Sequence, residues 1–405
     1  VVLCRTNQQY TLAPGDDRIS NSTSQNPAGG RPLRVIYPNL SFEDRLAGRS
    51  RRTNAALQRT VDCLTPFVGL LGQPGDAVIV TESGKPSDLP APLSAVRFLT
   101  IDEALKLRGV GGTDFTLVPW GWDADARHLA KKLDHRGQIP PEDAVADVNG
   151  RLFSAELDAV CDHHQDVLFD GRFGKVCRSE SEFLQATGQL AELGFDEWLA
   201  KPAWSGAARS RLPGRCGHLS RSQAGWLRRQ LRDSGYVWLE PFLTVLRECG
   251  VQLEIGNPAS VGSSAIVDTI GVTEMLTDAS GRFRGSVISD TVDPVWRSAI
   301  VAAQAAGRQA AERGYFGPLG IDCMQVRLPD GRSVIRACHD INGRFTMGRL
   351  ALQLSPLIET GKNGVWIHGA VGESLPSCER RVNSPAIEWS DDVEAARLSP
   401  RLVAG

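Results

Sequence analysis

Apolar positions along the chain switch between alternation and a helical period, and the switches outline its organisation. Residues 1–30 are polar, rich in Ser, Asn, Gly and Pro, and lack periodicity, which predicts a flexible tail. Patterned sequence begins near Arg34. Arg34-Val35-Ile36-Tyr37 reads as a strand, Thr53 to Leu64 as a helix, and Ala77-Val78-Ile79-Val80 and Thr116-Leu117-Val118-Pro119 as further strands. Strands alternating with helical patterns predict a three-layer domain with a largely parallel sheet. A helix-rich stretch follows between Val148 and Gly235, in which Ser179 is placed to cap a helix. From Ser298 to Arg313 a helix carries alanine at 299, 302, 303, 305, 306, 310 and 311, a composition that packs closely against a sheet.

The densest chemical signal lies in the last part of this pattern. Asp322 opens the alternating run Cys323-Met324-Gln325-Val326-Arg327-Leu328, which ends at the turn signal Pro329-Asp330-Gly331. Ser333-Val334-Ile335-Arg336-Ala337-Cys338 returns from that turn and brings Asp340 and Asn342 to roughly the level of Asp322. Alternation puts Asp340, Asn342 and Arg344 on one face and Ile341 and Phe345 on the other. Oxygen groups from Asp322, Asp340 and Asn342 form a hard, anionic site suited to Mg2+, which takes its remaining ligands from water and phosphate. Arg344 adds a guanidinium fork suited to phosphate.

Two further elements carry polar groups in apolar surroundings. Glu197-Trp198-Leu199-Ala200-Lys201-Pro202 is a strand ending in lysine, followed by the small-residue loop Ala203 to Arg211. A point charge followed by closely approaching backbone N–H groups is what a phosphate clamp needs. The basic residues Lys175, Arg209 and Arg211 lie on either side of this lysine in sequence. Tyr236-Val237-Trp238-Leu239-Glu240-Pro241-Phe242-Leu243 is an apolar strand with one Glu, and Glu254 lies on the next strand, Val251-Gln252-Leu253-Glu254-Ile255. Either Glu serves a ligand or discourages aggregation as a strand-edge charge.

Other features change the picture less. Gly109-Val110-Gly111-Gly112 precedes a strand, whereas a dinucleotide fingerprint follows one, so it reads as a loop. Trp120 and Trp122 follow a strand and either line a cleft or fill a domain interface, the latter being favoured. Cys161 with His163 and His164 lacks a partner set, which argues against structural zinc. A length of 405 residues implies two or three domains. A net charge of −2 gives no general attraction to nucleic acid or anionic membrane. Nine cysteines without a framework, and no apolar run near the ~20 residues of a membrane helix, lead to an expectation of a reducing cytoplasm.

In the order Lys201, Glu240, Asp322, Asp340-Ile341-Asn342-Gly343-Arg344, the chain resembles the ATP-grasp superfamily over roughly residues 34–370. That family ends its catalytic domain with an acidic residue, a hairpin and a Glu-x-Asn-x-Arg strand, and Asp340 stands here where Glu is usual. The resemblance implies an α/β and α+β fold: an N-terminal three-layer pre-ATP-grasp domain (31–147), then a two-lobed ATP-grasp domain. Its small lobe (148–235) holds the phosphate-binding loop and its C-terminal lobe (236–372) the metal site, with a tail at 373–405. It implies ATP with Mg2+, or Mn2+, as cofactors. Asp322, Asp340 and Asn342 would ligate metal, and Lys175, Lys201, Arg209, Arg211, Glu240, Phe242, Leu243 and Glu254 would contact nucleotide. Lys201 and Arg344 would act on the transferring phosphoryl group. The activity implied is an ATP-dependent carboxylate-amine ligase acting through an acyl phosphate. Its partners would be a small-molecule carboxylate and nucleophile, and a homo-oligomer is compatible with this. The alternatives are a phosphotransferase on an alcohol and a non-catalytic nucleotide-binding module.

Overall fold

The computed structural model describes residues 2–6, 32–48, 61–62, 64–85, 93–108, 114–160, 174–204, 211–257, 266–277, 281, 283–358, 360, 363–367 and 394–397. The expected helix 53–64 lies mostly outside these residues, as do Gly109, Gly111 and Gly112, the Cys161, His163 and His164 group, Arg209, and most of the loop after Lys201.

Three sheets organise the described residues. The N-terminal sheet is parallel, in the order Arg97–Leu99, Ala77–Ile79, Leu33–Tyr37, Phe115–Pro119. Its strands are apolar on both faces because both are covered. Val35, Ile79 and Leu117 pack with Ala104, Leu129 and Leu133 of the helices Ile101–Arg108 and Ala124–Leu133. On the other face Ile36 and Val78 join Phe67, Val68 and Phe42 in a core that continues into the rest of the molecule. This is the three-layer arrangement the alternating pattern predicted.

A second, antiparallel sheet has the order Lys175–Cys177, Val237–Pro241, Glu197–Pro202, Leu212–Arg215. Trp198, Leu239, Val237 and Ala200 fill one face against Phe183 and Leu190 of the helix Glu180–Glu192 and Leu227 of the helix Arg221–Ser234. Ser179 caps the first of these helices, accepting from the Glu182 backbone N–H at 3.1 Å. The Val237–Pro241 strand lies beyond the expected boundary of 235/236 and pairs in this sheet with strands that precede it.

The large sheet is antiparallel and eight-stranded: Ser333–Asn342, Gly317–Arg327, Thr244–Ile255, Val267–Thr277, Phe283–Ser289, Asn363–Ile367, Val2–Thr6, Glu394–Arg397. Its first and last segments in sequence fall in stretches expected to be tails, and they pair with one another. Helix Arg297–Glu312 lies on this sheet through Ala299, Ala302, Ala303, Ala306 and Ala310, all buried. Alanine lets helix and strand backbones approach; a Cβ on Gly307 of the same face would sit 2.7 Å from a Val267 methyl.

Ala306 is fully buried in this contact. Ala306→Leu adds volume where the sheet cannot retreat, and is expected to lower unfolding free energy by about 1–3 kcal/mol. The shift of the urea midpoint measures it.

Candidate active site

The hairpin forms as its pattern predicted, with a difference in length and one in regularity. The first strand begins at Gly317, so Asp322 lies in its middle and does not open it. Asp322 faces Asp340 directly and Gly320 faces Asn342. Between Asp322 and Met324 only Cys323 intervenes, whereas Ala337, Cys338 and His339 intervene between their partners Arg336 and Asp340. The extra residues form a bulge, with Cys338 at a φ of 55°. Bulges bend a strand and re-aim its side chains, and this one separates Arg336, directed at the small lobe, from Asp340 beside Asp322.

On its other side Asp322 faces Gly250, and Gln252 faces Gly320. Glycine in a strand leaves space for another group to approach the backbone. Asn342 Nδ2 donates to Asp322 Oδ2 at 3.4 Å, and Arg344 Nη2 donates to Asn342 Oδ1 at 3.1 Å. Burial, followed by the like charge of Asp340, pushes the Asp322 carboxyl up to about 7. Two opposed carboxylates and an amide beside small residues suit a hard divalent cation, whose charge would relieve this repulsion. Among the described residues no group of three or more His, Cys, Asp or Glu side chains is arranged to hold a metal.

Lys201 and Glu240 meet on one face of the small-lobe sheet. Lys201 Nζ lies 2.6 Å from Glu240 Oε1, and both are almost fully buried. The other carboxylate oxygen accepts from Trp238 Nε1 at 2.8 Å and from Arg336 Nη2 at 3.3 Å. Burial lowers the Lys201 ammonium, while the Glu240 charge opposes it. Burial alone would raise Glu240, but Lys201 and Arg336 outweigh it and hold the carboxyl well below the ordinary range. Arg151, at the start of helix Arg151–Val160, completes the group by gripping Asp340 at 2.9 and 3.2 Å. Nearby, Asn149 Oδ1 accepts from the Gly343 backbone N–H at 2.9 Å, fixing this segment to the end of the hairpin. His339 is kept neutral by burial and by the Lys201 charge.

The structure thus brings Lys201, Glu240, Asp322, Asp340, Asn342 and Arg344 into one region, together with Arg151 and Arg336, which the sequence did not single out. Arg336 did leave a signal, a lone charge inside the apolar run Val334 to Cys338. Arg151 left none that is local, being 189 positions from Asp340.

Other expected contacts are placed differently. Lys175 faces Leu239 across the sheet, and directly opposed residues share a face, so it lies on the helix-packed side, opposite Lys201. Arg211 Nη2 points to the Gly281 carbonyl at 3.4 Å. Phe242 is exposed, whereas Leu243 packs against the small-lobe core. Glu254 pairs with Arg349 at 2.9 Å, four positions beyond the level of Asp322 and about 13 Å along the strand; burial raises its carboxyl against the pull of Arg349.

Glu254 instead lines a cavity of about 510 Å³ between the N-terminal sheet and the large sheet, with Arg34, Trp120, Trp122, Arg344 and Arg349. Trp120 is 4% exposed, packs on Phe345 and carries the Arg344 guanidinium 5.7 Å above its ring, so it fills the interface and lines the cleft at once. Arg344 also forms an ion pair with Glu43. It therefore connects the hairpin, the cavity and the N-terminal domain.

No family model matches the chain, and no curated protein does. Among solved structures it is similar to a biotin carboxylase–β-γ-ATP complex from Campylobacter jejuni, with 12% identity and a TM-score of 0.47 over 80% of this chain and 68% of the other. It is similar to N5-carboxyaminoimidazole synthetase from Staphylococcus aureus complexed with ADP, with 12% identity and a TM-score of 0.41 over 78% and 71%. It is also similar to L-amino acid ligase from Bacillus licheniformis, with 11% identity and a TM-score of 0.40 over 80% and 74%.

The raised Asp322 carboxyl has a consequence for stability once divalent cations are chelated. Its folded value of about 7 lies above the ordinary value of about 3.9. The folded chain then holds a proton that the unfolded chain releases, so this group makes stability fall as pH rises from about 4 to about 7. Urea midpoints at pH 5 and pH 8 should show the fall in wild type and a smaller one in Asp322→Asn, which is the more stable chain at pH 8.

Proposed function

We propose that the chain is an ATP-dependent ligase of the ATP-grasp type, which activates a carboxylate as an acyl phosphate and passes the acyl group to an amine or another nucleophile. The observation that carries this reading is the meeting of a buried cationic group, Lys201, Arg151 and Arg336, with the oxygen-bearing edge Asp322, Asp340 and Asn342. Cations behind and a hard-cation site in front are the two halves of a polyphosphate site. Lys201 would receive phosphate oxygens at the end of its strand, and Arg151 beside it would share them. Asp322, Asp340 and Asn342 would hold Mg2+, which when bound neutralises charge on the phosphates.

Arg344 lines the cavity and bonds to Asn342 of this edge, and its guanidinium would face the phosphoryl group in transfer or the carboxylate that receives it. The cavity volume falls in the range of about 300–1,000 Å³ usual for small-molecule sites. Trp120, packed at a tilt on Phe345, and Arg344 above its ring form a wall there that would orient a substrate and exclude water. Positioning and charge neutralisation suffice for in-line phosphoryl transfer, so no side-chain nucleophile is needed.

Full ATP turnover should require both a carboxylate and a nucleophile, release ADP and inorganic phosphate, and yield a hydroxamate when hydroxylamine replaces the nucleophile. Asp322→Asn and Asn342→Ala should each lower turnover by about 100-fold or more while the chain stays folded by circular dichroism. A stable phosphorylated product with no hydroxamate would identify a kinase instead, and nucleotide binding without any turnover a non-catalytic module.

A further inference from the structure

The contacts of Arg151 bear on when a cation can enter the site. Its Nη1 lies 2.9 Å from Asp340 Oδ1 and its Nη2 3.2 Å from Oδ2, a two-point grip on both oxygens. Nη1 also points to the His339 carbonyl at 3.3 Å, and the Arg151 backbone N–H donates to the Ala203 carbonyl at 3.3 Å. The arginine side chain is 7% exposed and that of Asp340 30%, so the guanidinium approaches from inside the protein while the carboxylate keeps an open side.

A fork-to-fork pair uses both carboxylate oxygens. Mg2+ requires near-octahedral oxygens at about 2.0–2.1 Å. A dication bound to Asp340 would also lie within a few ångströms of the guanidinium charge, which repels it. The two ligands of Asp340 therefore compete. We propose, resting on the nucleotide reading above, that Arg151 keeps Asp340 closed to a divalent cation while nucleotide is absent and releases it when phosphates draw the guanidinium away. Cation and nucleotide then enter together.

Charge conservation favours Arg151 as the moving group. Lys201 and Arg336 are both tied to the buried Glu240, which would be left uncompensated if they left. When Arg151 turns to phosphate, Asp340 passes to the cation, and Glu240 keeps both of its cations. Arg151 lies close enough to Lys201 for its charge to lower the lysine further.

Equilibrium dialysis of the full chain against Mn2+, with and without β,γ-methylene-ATP, tests this on wild type, Arg151→Met and Arg151→Lys. Without nucleotide, Arg151→Met should retain Mn2+ at least about tenfold more tightly than wild type. Arg151→Lys should fall between them, since one ammonium cannot cover both oxygens; it carries the comparison if the methionine variant does not fold. Asp340→Asn added to either variant should remove the gain. With the analogue, wild type should bind Mn2+ tightly. Wild type binding Mn2+ without nucleotide as tightly as the variants would overturn the gate while leaving the metal site intact. If no chain retains Mn2+ even with the analogue present, the nucleotide reading fails and the gate with it.

Discussion

The buried Lys201–Glu240 pair constrains the rest of the site. Removing two charges from water costs several kcal/mol per ion, and their attraction offsets that only when the remaining hydrogen-bonding capacity is filled. Lys201 and Glu240 occupy neighbouring strands of the small-lobe sheet, so the pair alone could form there. Its second carboxylate oxygen, however, takes Trp238 from the same sheet and Arg336 from the large sheet. The charge balance of one lobe is therefore completed by the other. Arg151 repeats this at Asp340, where a residue at the start of a helix meets a carboxylate on the hairpin.

The bulge makes this division possible. A regular ladder would keep Arg336 and Asp340 on the same face of one strand, four positions apart. The two additional residues around Cys338 bend the strand between them. One end can then serve Glu240 and the other can face Asp322. Local irregularity here positions charge, in keeping with the enrichment of bulges beside functional sites.

Much of this was legible because it depends on neighbours in sequence. Asp322 and Asp340 belong to strands joined by Pro329-Asp330-Gly331, so alternation and a turn suffice to bring them together. The apolar strands of the N-terminal sheet and the alanine-rich helix were read from composition for the same reason. Features that depend on register between distant strands are not legible in this way. Lys175 was grouped with Lys201 by charge, but only its pairing with Leu239 reveals that it lies on the opposite face. Glu254 follows the small-lobe strands in sequence, yet its strand runs away from Asp322 toward the N-terminal domain. The resemblance puts the strand carrying Glu240 at the start of a second lobe, while its hydrogen-bonded partners lie in the sheet that holds Lys201. Arg151 was invisible because its partner lies 189 residues on and its helix start resembles any other.

The position of Arg344 carries the consequence furthest. It touches Asn342 of the hairpin, forms an ion pair with Glu43 of the N-terminal domain and lies over Trp120 on the same side. A guanidinium stacked on an aromatic face and paired with carboxylate loses little further freedom on meeting an anion. Its orientation is thus set before any ligand arrives, and the N-terminal domain sets it. That domain contributes neither Lys201, Arg151 nor the oxygen-bearing residues of the hairpin, but it fixes Arg344, a cation shared by hairpin and cavity. The hairpin supplies Asp322, Asp340 and Asn342, the four-stranded antiparallel sheet supplies Lys201, and contacts with Glu43 and Trp120 set the angle at which Arg344 stands beside them.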